Sequence, residues 1–332
     1  MKIDGKVIGD DAPTYFIAEA GLNHNGDIEI AKKIIDEAIK SGADAVKFQT
    51  YQTEKFVTKS NQYFELFKNA ELSFSDFDEL YQYTKNKKIT FFSAPFDLES
   101  ADFLKEIDIP CIKIASSDLT NIPLISKIAK IQKPMIISTG ASTIKEIKNA
   151  VNTCYLEGNS QISLMHCVSS YPTSYSDVNL KAIISMKKQF PHPIGYSDNG
   201  EPALVDLAAV SMGANLIEKH FTLDKTMYGP DHSFSIDPVG LTDLISQIRM
   251  IDVMKGDGKK LPRPSEVIGK SALRKSLTIK DEMNQGDILT VDNILIKRPE
   301  GGIEPKFLDH VVGKKINKNI KSDSLLFWKD IN

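Results

Sequence analysis

The segment GYSDNGEPALVDLAAVSMGANLIEKHFTLD, residues 195–224, contains the unit from which the fold can be predicted. A short apolar run ends in Ser-Asp-Asn at 197–199, a helical pattern follows, and residues 214–220 alternate between apolar and polar side chains. Glu218 and His220 lie two residues apart and therefore share one face of a strand. Strand, helix and strand, with polar side chains at the strand ends, is how parallel α/β proteins build a site.

The same unit recurs along the chain. Helical patterns such as IEIAKKIIDEAIKSG and STIKEIKNAVNTCYLEG separate most of eight short β-like runs. The predicted strands are 15–20, 45–50, 90–94, 111–116, 135–139, 162–166, 194–197 and 214–220. Eight βα units in about 250 residues predict an α/β fold of the (β/α)8 TIM-barrel type. An open doubly wound sheet is the alternative, but no Gly-rich phosphate fingerprint opens the first helix.

The composition changes after Met254. The stretch GDGKKLPRPSE is rich in Gly, Pro and Lys and predicts an extended linker, since Pro262 and Pro264 disfavour helix. Short apolar runs with Gly and Asn turns follow, without a helix of useful length. We therefore predict a barrel domain at 1–255, a linker at 256–269 and a small β-rich domain at 270–332.

Composition excludes several functional classes. The 332 residues carry a formal charge of −3 without a basic run, which argues against a nucleic-acid partner. No apolar run approaches the roughly 20 residues that span a bilayer, and the N-terminus lacks a signal-peptide pattern. Three cysteines at no metal-like spacing indicate reduced thiols. These features predict a cytoplasmic protein with no membrane partner.

Polar residues end nearly every predicted strand. Each costs on the order of 1–3 kcal/mol if buried without a partner, so together they predict a polar pocket. A single serine could stand at a strand end simply because a loop begins there. The start of a loop is a poor explanation for two lysines, two glutamates and a histidine together. The residues in question are Glu19, Lys47, Gln49, Ser93, Lys113, Ser116, Ser138, His166, Ser197, Glu218 and His220.

The residue types indicate the chemistry of this pocket. Lys47 and Lys113, with serines nearby, predict a phosphate or carboxylate ligand. Glu19 is a candidate acid or base, although it could instead cap the next helix. His220 and Asn199 end neighbouring strands and suit Mn²⁺ or Mg²⁺, with a satisfied core histidine as the alternative.

Ten motifs carry a resemblance to a known family. AEAGLNHNG, GADAVKFQTY, APFD, KIASSD, STGAS, HCVSSYPT, GYSDN, EKHFTLD, GPDHSFSID and IKRPEGGI occur in this order. Their spacing resembles that of the sialic acid synthase family, which makes nonulosonic acids. The resemblance extends to the C-terminal module, which is similar to the antifreeze-like (SAF) domain of these enzymes.

The resemblance implies a reaction and a set of site residues. Phosphoenolpyruvate would condense with the open-chain aldehyde of an N-acylated hexosamine, such as N-acetylmannosamine or a 6-deoxy diacetamido relative, with release of phosphate. By the same resemblance the enzyme would be a domain-swapped homodimer whose SAF arginine, Arg298, reaches the partner's barrel. Phosphoenolpyruvate would be held by Lys47, Lys113, Ser116, Ser138, Ser169, Tyr171 and Ser197; the sugar by Gln49, Asp231 and Arg298; and Glu19, Glu218 and Asp118 would be the catalytic or further polar groups.

One residue departs from the family pattern. The family usually has Ser-Asp-His where this chain has Ser-Asp-Asn, so Asn199 replaces one of two histidine metal ligands and His220 keeps the other. Two rival functions remain at this point: condensation of phosphoenolpyruvate with another aldose, and a catalytically silent carbohydrate-binding relative. The sequence does not identify the acceptor sugar.

Overall fold

A closed barrel of eight parallel strands forms the first of two units in the computed structural model, which describes residues 1–200 and 202–332. The first unit is Met1–Gly256, and an antiparallel hairpin of β1 (Lys2–Ile3) and β2 (Lys6–Val7) precedes its barrel. The strand order around the barrel is β10-β3-β4-β5-β6-β7-β8-β9. The barrel strands are β3 (Tyr15–Gly21), β4 (Ala45–Thr50), β5 (Thr90–Pro95), β6 (Ile112–Ile114), β7 (Met135–Ser138), β8 (Ile162–Cys167), β9 (Ile194–Asp198) and β10 (Leu216–His220).

The predicted barrel is therefore confirmed, and each predicted strand is found with its ends within two residues of the prediction. The strands were recognisable because a barrel strand is covered by helices on one face and packed side chains on the other. Such a strand is apolar over most of its length. In β3 and β5 every residue is buried.

Ten helices accompany the barrel among the described residues of the first unit. In α1 the Asp27 side chain accepts hydrogen bonds from the first turn, and the residues that face the barrel recur at helical spacing, from Ala31 to Ala38. Three helices, α2 to α4, join β4 to β5. The helices are α1 (Ile28–Lys40), α2 (Thr53–Phe56), α3 (Phe64–Ala70), α4 (Phe74–Lys85), α5 (Leu98–Glu106), α6 (Ile122–Ala129), α7 (Ile144–Leu156), α8 (Lys181–Gln189), α9 (Leu204–Ser211) and α10 (Pro238–Lys255).

Strand register sets the level of the polar side chains inside the barrel. Glu19 on β3 is the register partner of Lys47 on β4, and on its other side it is the partner of His220 on β10. Glu218 on β10 is the partner of Ser197 on β9. Residues far apart in sequence are thus brought to one level near the carboxyl ends of the strands.

The second unit, Asp257–Asn332, has its own apolar core, which includes Leu277, Leu289 and Leu326. Its main sheet pairs β11 with β12 in antiparallel register, matching the predicted small β-rich module. Its regular elements are α11 (Pro264–Leu273), β11 (Ser276–Ile279), β12 (Ile294–Lys297) and α12 (Leu308–Val311).

The prediction of an extended linker is wrong for its C-terminal half. The ten-residue helix α11 begins at Pro264 and continues to Leu273. Proline is accepted at the first position of a helix because the N–H it lacks would have no partner inside the helix there. Pro264 therefore starts a helix where the sequence analysis expected it to prevent one.

The described part of the chain contains no helix that is both long and apolar enough to cross a membrane.

Candidate active site

A cavity of about 700 Å³ opens at the carboxyl ends of the barrel strands. Thirteen of the fifteen candidate site residues line it. These are Glu19, Lys47, Gln49, Lys113, Ser116, Ser138, Ser169, Tyr171, Ser197, Asn199, Glu218, His220 and Asp231. Most of the polar strand ends therefore face one shared space, as the sequence analysis expected. Ser93 and His166 do not line it: the Ser93 hydroxyl pairs with that of Thr50 at 2.7 Å, and His166 Nε2 lies 2.8 Å from Val178 O.

Alternating charges form the floor of the cavity. Lys47 Nζ lies 2.8 Å from Glu19 Oε2 and 3.2 Å from Glu218 Oε1, and Lys113 Nζ lies 2.9 Å from Glu218. Gln49 Nε2 donates to Glu19 Oε1 at 2.9 Å. All four charged side chains are buried.

This network sets the protonation of its members. Burial alone would raise the pKa of Glu218, but the ammonium groups of Lys113 and Lys47 lower it to about 2. Burial alone would lower the pKa of Lys47, yet Glu19 and Glu218 raise it. Burial lowers the pKa of Lys113 despite its contact with Glu218. Glu218 is thus a carboxylate at neutral pH, in contact with both lysine side chains.

The floor has no surplus of positive charge. Of the described residues that line the cavity, Lys47 and Lys113 are the only lysines or arginines, and two glutamates contact them. A ligand with several negative charges would therefore need a further cation, either a metal ion or a residue from elsewhere.

A group of hydroxyls lies beside this floor. Gly140 N donates to Ser116 Oγ at 3.1 Å. A Cβ at Gly140 would collide with Ser169 Oγ and lie 2.8 Å from Ser116 Oγ, so glycine leaves the space between the hydroxyls open. Ser138 Oγ is buried and has no hydrogen-bond partner among the described residues. Hydroxyls around an open space next to two lysines suit the oxygens of a phosphate or carboxylate.

Both metal-ligand candidates, His220 and Asn199, line the cavity. His220 Nδ1 is buried, has no hydrogen-bond partner within the described chain and lies 3.7 Å from Asp231 Oδ2. Asn199 Nδ2 donates to Val168 O at 2.9 Å and Cys167 Sγ at 3.4 Å. Because the amide nitrogen is held in this way, Oδ1 is the atom that Asn199 can offer to an ion.

This donor set fits a weakly held, partly hydrated ion. In the part of the chain that the structure describes, no group of three or more His, Cys, Asp or Glu side chains could hold a metal. One imidazole, one amide oxygen and a nearby carboxylate suit Mg²⁺ or Mn²⁺ that keeps water or substrate oxygens as its other ligands. They do not suit a structural zinc ion.

The loop that carries Asp231 is anchored by asparagines that the sequence analysis did not assign. Asn23 Nδ2 donates to Phe221 O and to Ser235 Oγ, both at 2.9 Å, and Ser235 Oγ donates to Asp231 O at 2.6 Å. Asn25 Nδ2 donates to Tyr228 O at 2.9 Å. The motif AEAGLNHNG could have indicated this role, since asparagines beside a glycine commonly organise a loop.

Lys219 is a third residue that the sequence analysis did not assign. It is buried, contacts the carboxylate of Asp198, lies 3.1 Å from Asp206 Oδ2 and donates to Gly200 O at 2.8 Å. Asp198 and Gly200 flank Asn199, so this lysine ties the segment that carries Asn199 to β10. Burial raises the pKa of Asp206, which limits the charge in this cluster.

Three candidates differ from the rest in their placement. Asp118 does not line the cavity; Asn121 Nδ2 donates to it at 2.9 Å, and burial raises its pKa. Tyr171 is largely exposed at the cavity, with its ring edge-on to His220 at 5.9 Å. Arg298 is an exposed residue of the second unit, immediately after β12.

Two family models match the chain. The NeuB family model covers residues 34–260, and the SAF domain model covers residues 274–332. The chain belongs to the NeuB family. The resemblance to the sialic acid synthase family is thereby confirmed, together with the assignment as an enzyme of that type and the identity of the C-terminal module.

Relatives of this NeuB-family protein match it over almost its whole length. An uncharacterised protein of Methanocaldococcus jannaschii is 47% identical over 331 residues, covering 100% of this chain and 98% of that protein. The N,N'-diacetyllegionaminic acid synthase of Campylobacter jejuni is 41% identical, covering 94% of this chain and 98% of that enzyme. The solved N-acetylneuraminic acid synthetase of Leptospira borgpetersenii is 38% identical, with a TM-score of 0.78, and covers 81% of this chain and 94% of that one.

Proposed function

We propose that this protein is a nonulosonic acid synthase that condenses phosphoenolpyruvate with the open-chain aldehyde of an N-acylated hexosamine and releases phosphate. The acceptor would be N-acetylmannosamine or a 6-deoxy diacetamido relative. The observation that carries the proposal is the floor of the cavity, where Lys47 and Lys113 enclose Glu218 beside open hydroxyls. The names of the relatives, which are synthases of legionaminic and N-acetylneuraminic acid, support it.

Phosphoenolpyruvate fits the polar half of the cavity. Its carboxylate and phosphate would contact Lys47 and Lys113, and Ser116, Ser138 and Ser169 would donate to its oxygens. Because Glu19 and Glu218 already pair with these lysines, full neutralisation of the ligand would need the further cation described above. The buried hydroxyl of Ser138, which has no partner among the described residues, would gain one when such a ligand is bound.

The condensation forms a carbon–carbon bond and a bond from C2 to the oxygen of water, and it breaks the bond from C2 to the phosphate oxygen. The C3 carbon of phosphoenolpyruvate attacks the aldehyde carbon, and the aldehyde oxygen takes a proton to become a hydroxyl. Positive charge develops at C2, next to the carboxylate of Glu218, whose low pKa keeps it ionised. Water then adds at C2 and loses one proton, which leaves a hydroxyl on C2. The adduct collapses as this hydroxyl gives its remaining proton to the leaving phosphate, the bond between C2 and the phosphate oxygen breaks, and a keto group forms at C2. We assign proton transfer in these steps, to the aldehyde oxygen and from the added water, to Glu19, which contacts Lys47 and accepts a hydrogen bond from Gln49.

His220 and Asn199 would hold the divalent ion that the family resemblance implies, with Asp231 nearby. When bound, such an ion supplies Lewis-acid polarisation of a carbonyl oxygen. It would also supply positive charge that the floor of the cavity lacks.

Metal dependence is the first expected result. Metal-free protein should be inactive and should recover with Mn²⁺ or Mg²⁺. Asn199→His should lower the Mn²⁺ concentration that gives half-maximal activity, because imidazole is a better donor than an amide oxygen to first-row transition ions. His220→Ala should lose the response to metal. A metal titration of activity for wild type and each variant measures this.

His310→Ala is the matched control for the titration. This histidine is exposed in the second unit and its removal should not shift the curve. Full activity after exhaustive chelation, or an unchanged titration for Asn199→His, would show that the metal assignment is wrong.

The reaction itself is tested by phosphate release. Phosphoenolpyruvate mixed with N-acetylmannosamine or its 6-deoxy diacetamido relatives should release phosphate and form a nine-carbon 2-keto acid, which mass spectrometry identifies. Turnover only with shorter aldoses would identify the protein as another kind of condensing synthase. Sugar binding without any turnover would identify a silent relative.

The second unit has a proposed role at the same site. We assign Arg298 to the sugar of the partner's barrel in a domain-swapped homodimer, on the basis of the family resemblance.

A further inference from the structure

One side of the cavity is an aromatic wall, which we define as Phe56, Leu66, Phe67 and Phe96. All four side chains line the cavity and are half-buried. The ring of Phe56 lies 4.9 Å from that of Phe67 and 4.7 Å from that of Phe96. The wall faces the same space as the serines and lysines but contains no hydrogen-bonding side chain.

The aromatic wall is built separately from the barrel core. It packs on a small cluster of its own, in which Leu22, Tyr51 and Ala70 are buried. Tyr51 supports it from behind, with its ring 5.5 Å from Phe56 and its hydroxyl donating to Phe67 O at 3.0 Å. The polar group of Tyr51 is thus bonded to the backbone, and the wall presents only carbon to a ligand.

The wall lies further from the floor than the reacting groups. Along β4, Lys47 belongs to the floor and Gln49 is two residues, about 6.6 Å, closer to the strand's carboxyl end. Phe56 follows in α2, Phe67 in α3, and Phe96 comes directly after β5. The aldehyde carbon must reach phosphoenolpyruvate at the floor, so the distal carbons of the acceptor extend to the level of the wall.

We propose that the aromatic wall selects an acceptor whose distal end is a methyl group, that is, a 6-deoxy hexosamine, over one with a 6-hydroxyl or a 6-phosphate. The inference rests on the proposed function, since that assigns the cavity to a sugar. A methyl group against phenyl rings leaves water without losing hydrogen bonds, whereas a hydroxyl loses them and a phosphate also loses the solvation of its charge. We expect this selection to make the 6-deoxy sugar bind about 10- to 100-fold more tightly than the 6-hydroxy sugar.

Binding of reduced sugars tests the inference without requiring turnover. The alditols of N-acetylmannosamine, its 6-deoxy form and its 6-phosphate have no aldehyde and cannot condense. Calorimetry on the full chain with saturating phosphoenolpyruvate should show the 6-deoxy alditol binding at least about 10-fold tighter than the 6-hydroxy alditol. The 6-phosphate should bind most weakly. Equal affinities, the reverse order or no binding of any alditol would overturn the inference.

A matched pair of variants assigns the selection to the wall. Phe67→Gln supplies a donor and an acceptor to the distal end and should reduce the preference to about threefold or less. Phe103→Gln is the control, because Phe103 stacks on Phe74 at 4.4 Å and does not line the cavity. Leu66→Gln replaces Phe67→Gln if the latter does not fold. If both wall variants keep the preference for the 6-deoxy alditol, or if the control loses it equally, the wall does not select the acceptor.

Turnover separates this inference from the proposed function. Equal kcat/KM for N-acetylmannosamine and its 6-deoxy form would overturn the inference and leave the proposed function standing. A preference for the 6-deoxy alditol without condensation of any sugar would support the inference and remove the proposed reaction.

Discussion

Replacing Lys113 or Lys47 with methionine should lower kcat/KM for phosphoenolpyruvate by roughly 30- to 5,000-fold. The loss corresponds to about 2–5 kcal/mol, the cost of leaving a buried charge without its partner. Lys113 lies 2.9 Å from Glu218, and Lys47 lies between Glu218 and Glu19, so each variant also leaves a buried carboxylate with fewer cations. Steady-state kinetics with phosphoenolpyruvate as the varied substrate measures the effect.

Lys133→Met is the control for these lysine variants. Lys133 pairs with Asp108 at 2.8 Å at the protein surface, and surface pairs contribute about 0–1 kcal/mol. It should keep normal kinetics. Thermal unfolding of each variant separates loss of the site from loss of the fold. A folded Lys113 or Lys47 variant whose kcat/KM for phosphoenolpyruvate stays near the wild-type value would show that this lysine does not act at the site.

Arg298→Ala and Glu19→Gln should each abolish condensation and should restore it when the two proteins are mixed. In a mixed dimer the intact barrel of one chain would meet the intact arginine of the other. If subunits exchange at random, about half of the dimers are mixed and each has one complete site of two, so about a quarter of wild-type specific activity is expected. Activity after exchange, followed with differently tagged chains, is the measurement.

Two controls make the mixing experiment specific. Glu19→Gln mixed with Lys113→Met should stay inactive, because both changes lie in the barrel and no mixed dimer contains an intact one. Arg274→Ala, at another exposed arginine of the second unit, should remain active by itself. If exchange is demonstrated and the Arg298→Ala mixture stays inactive, the arginine does not serve the partner's site.

The barrel could be predicted from the sequence because each of its strands is marked locally. The run at residues 135–139, for example, is apolar until it ends in Ser and Thr, helical patterns flank it, and the structure confirms it as a strand. The linker was harder to predict, because a proline gives the same local signal whether it precedes a helix or begins one. Pro264 begins one.

The candidate site was also largely predictable, since a parallel barrel brings its strand ends together whatever their separation in sequence. Lys47 and Glu218 are distant along the chain, yet both reach the floor of one cavity. The family motifs supplied the remaining candidates. Asp118 is the exception within the barrel, since it is adjacent to Ser117 at the cavity but does not line the cavity itself.

Residue types and their order along the chain thus determined the barrel, the second module and most of the polar residues around the cavity. Only the tertiary structure decided which charges meet, why Gly140 must lack a side chain, how the amide of Asn199 is oriented, and that four apolar residues form a wall of the same cavity. The physical reason is that these properties depend on distances between side chains of different βα units. Local sequence patterns report the face and burial of a residue within its own element, but not which residue of another element it will contact.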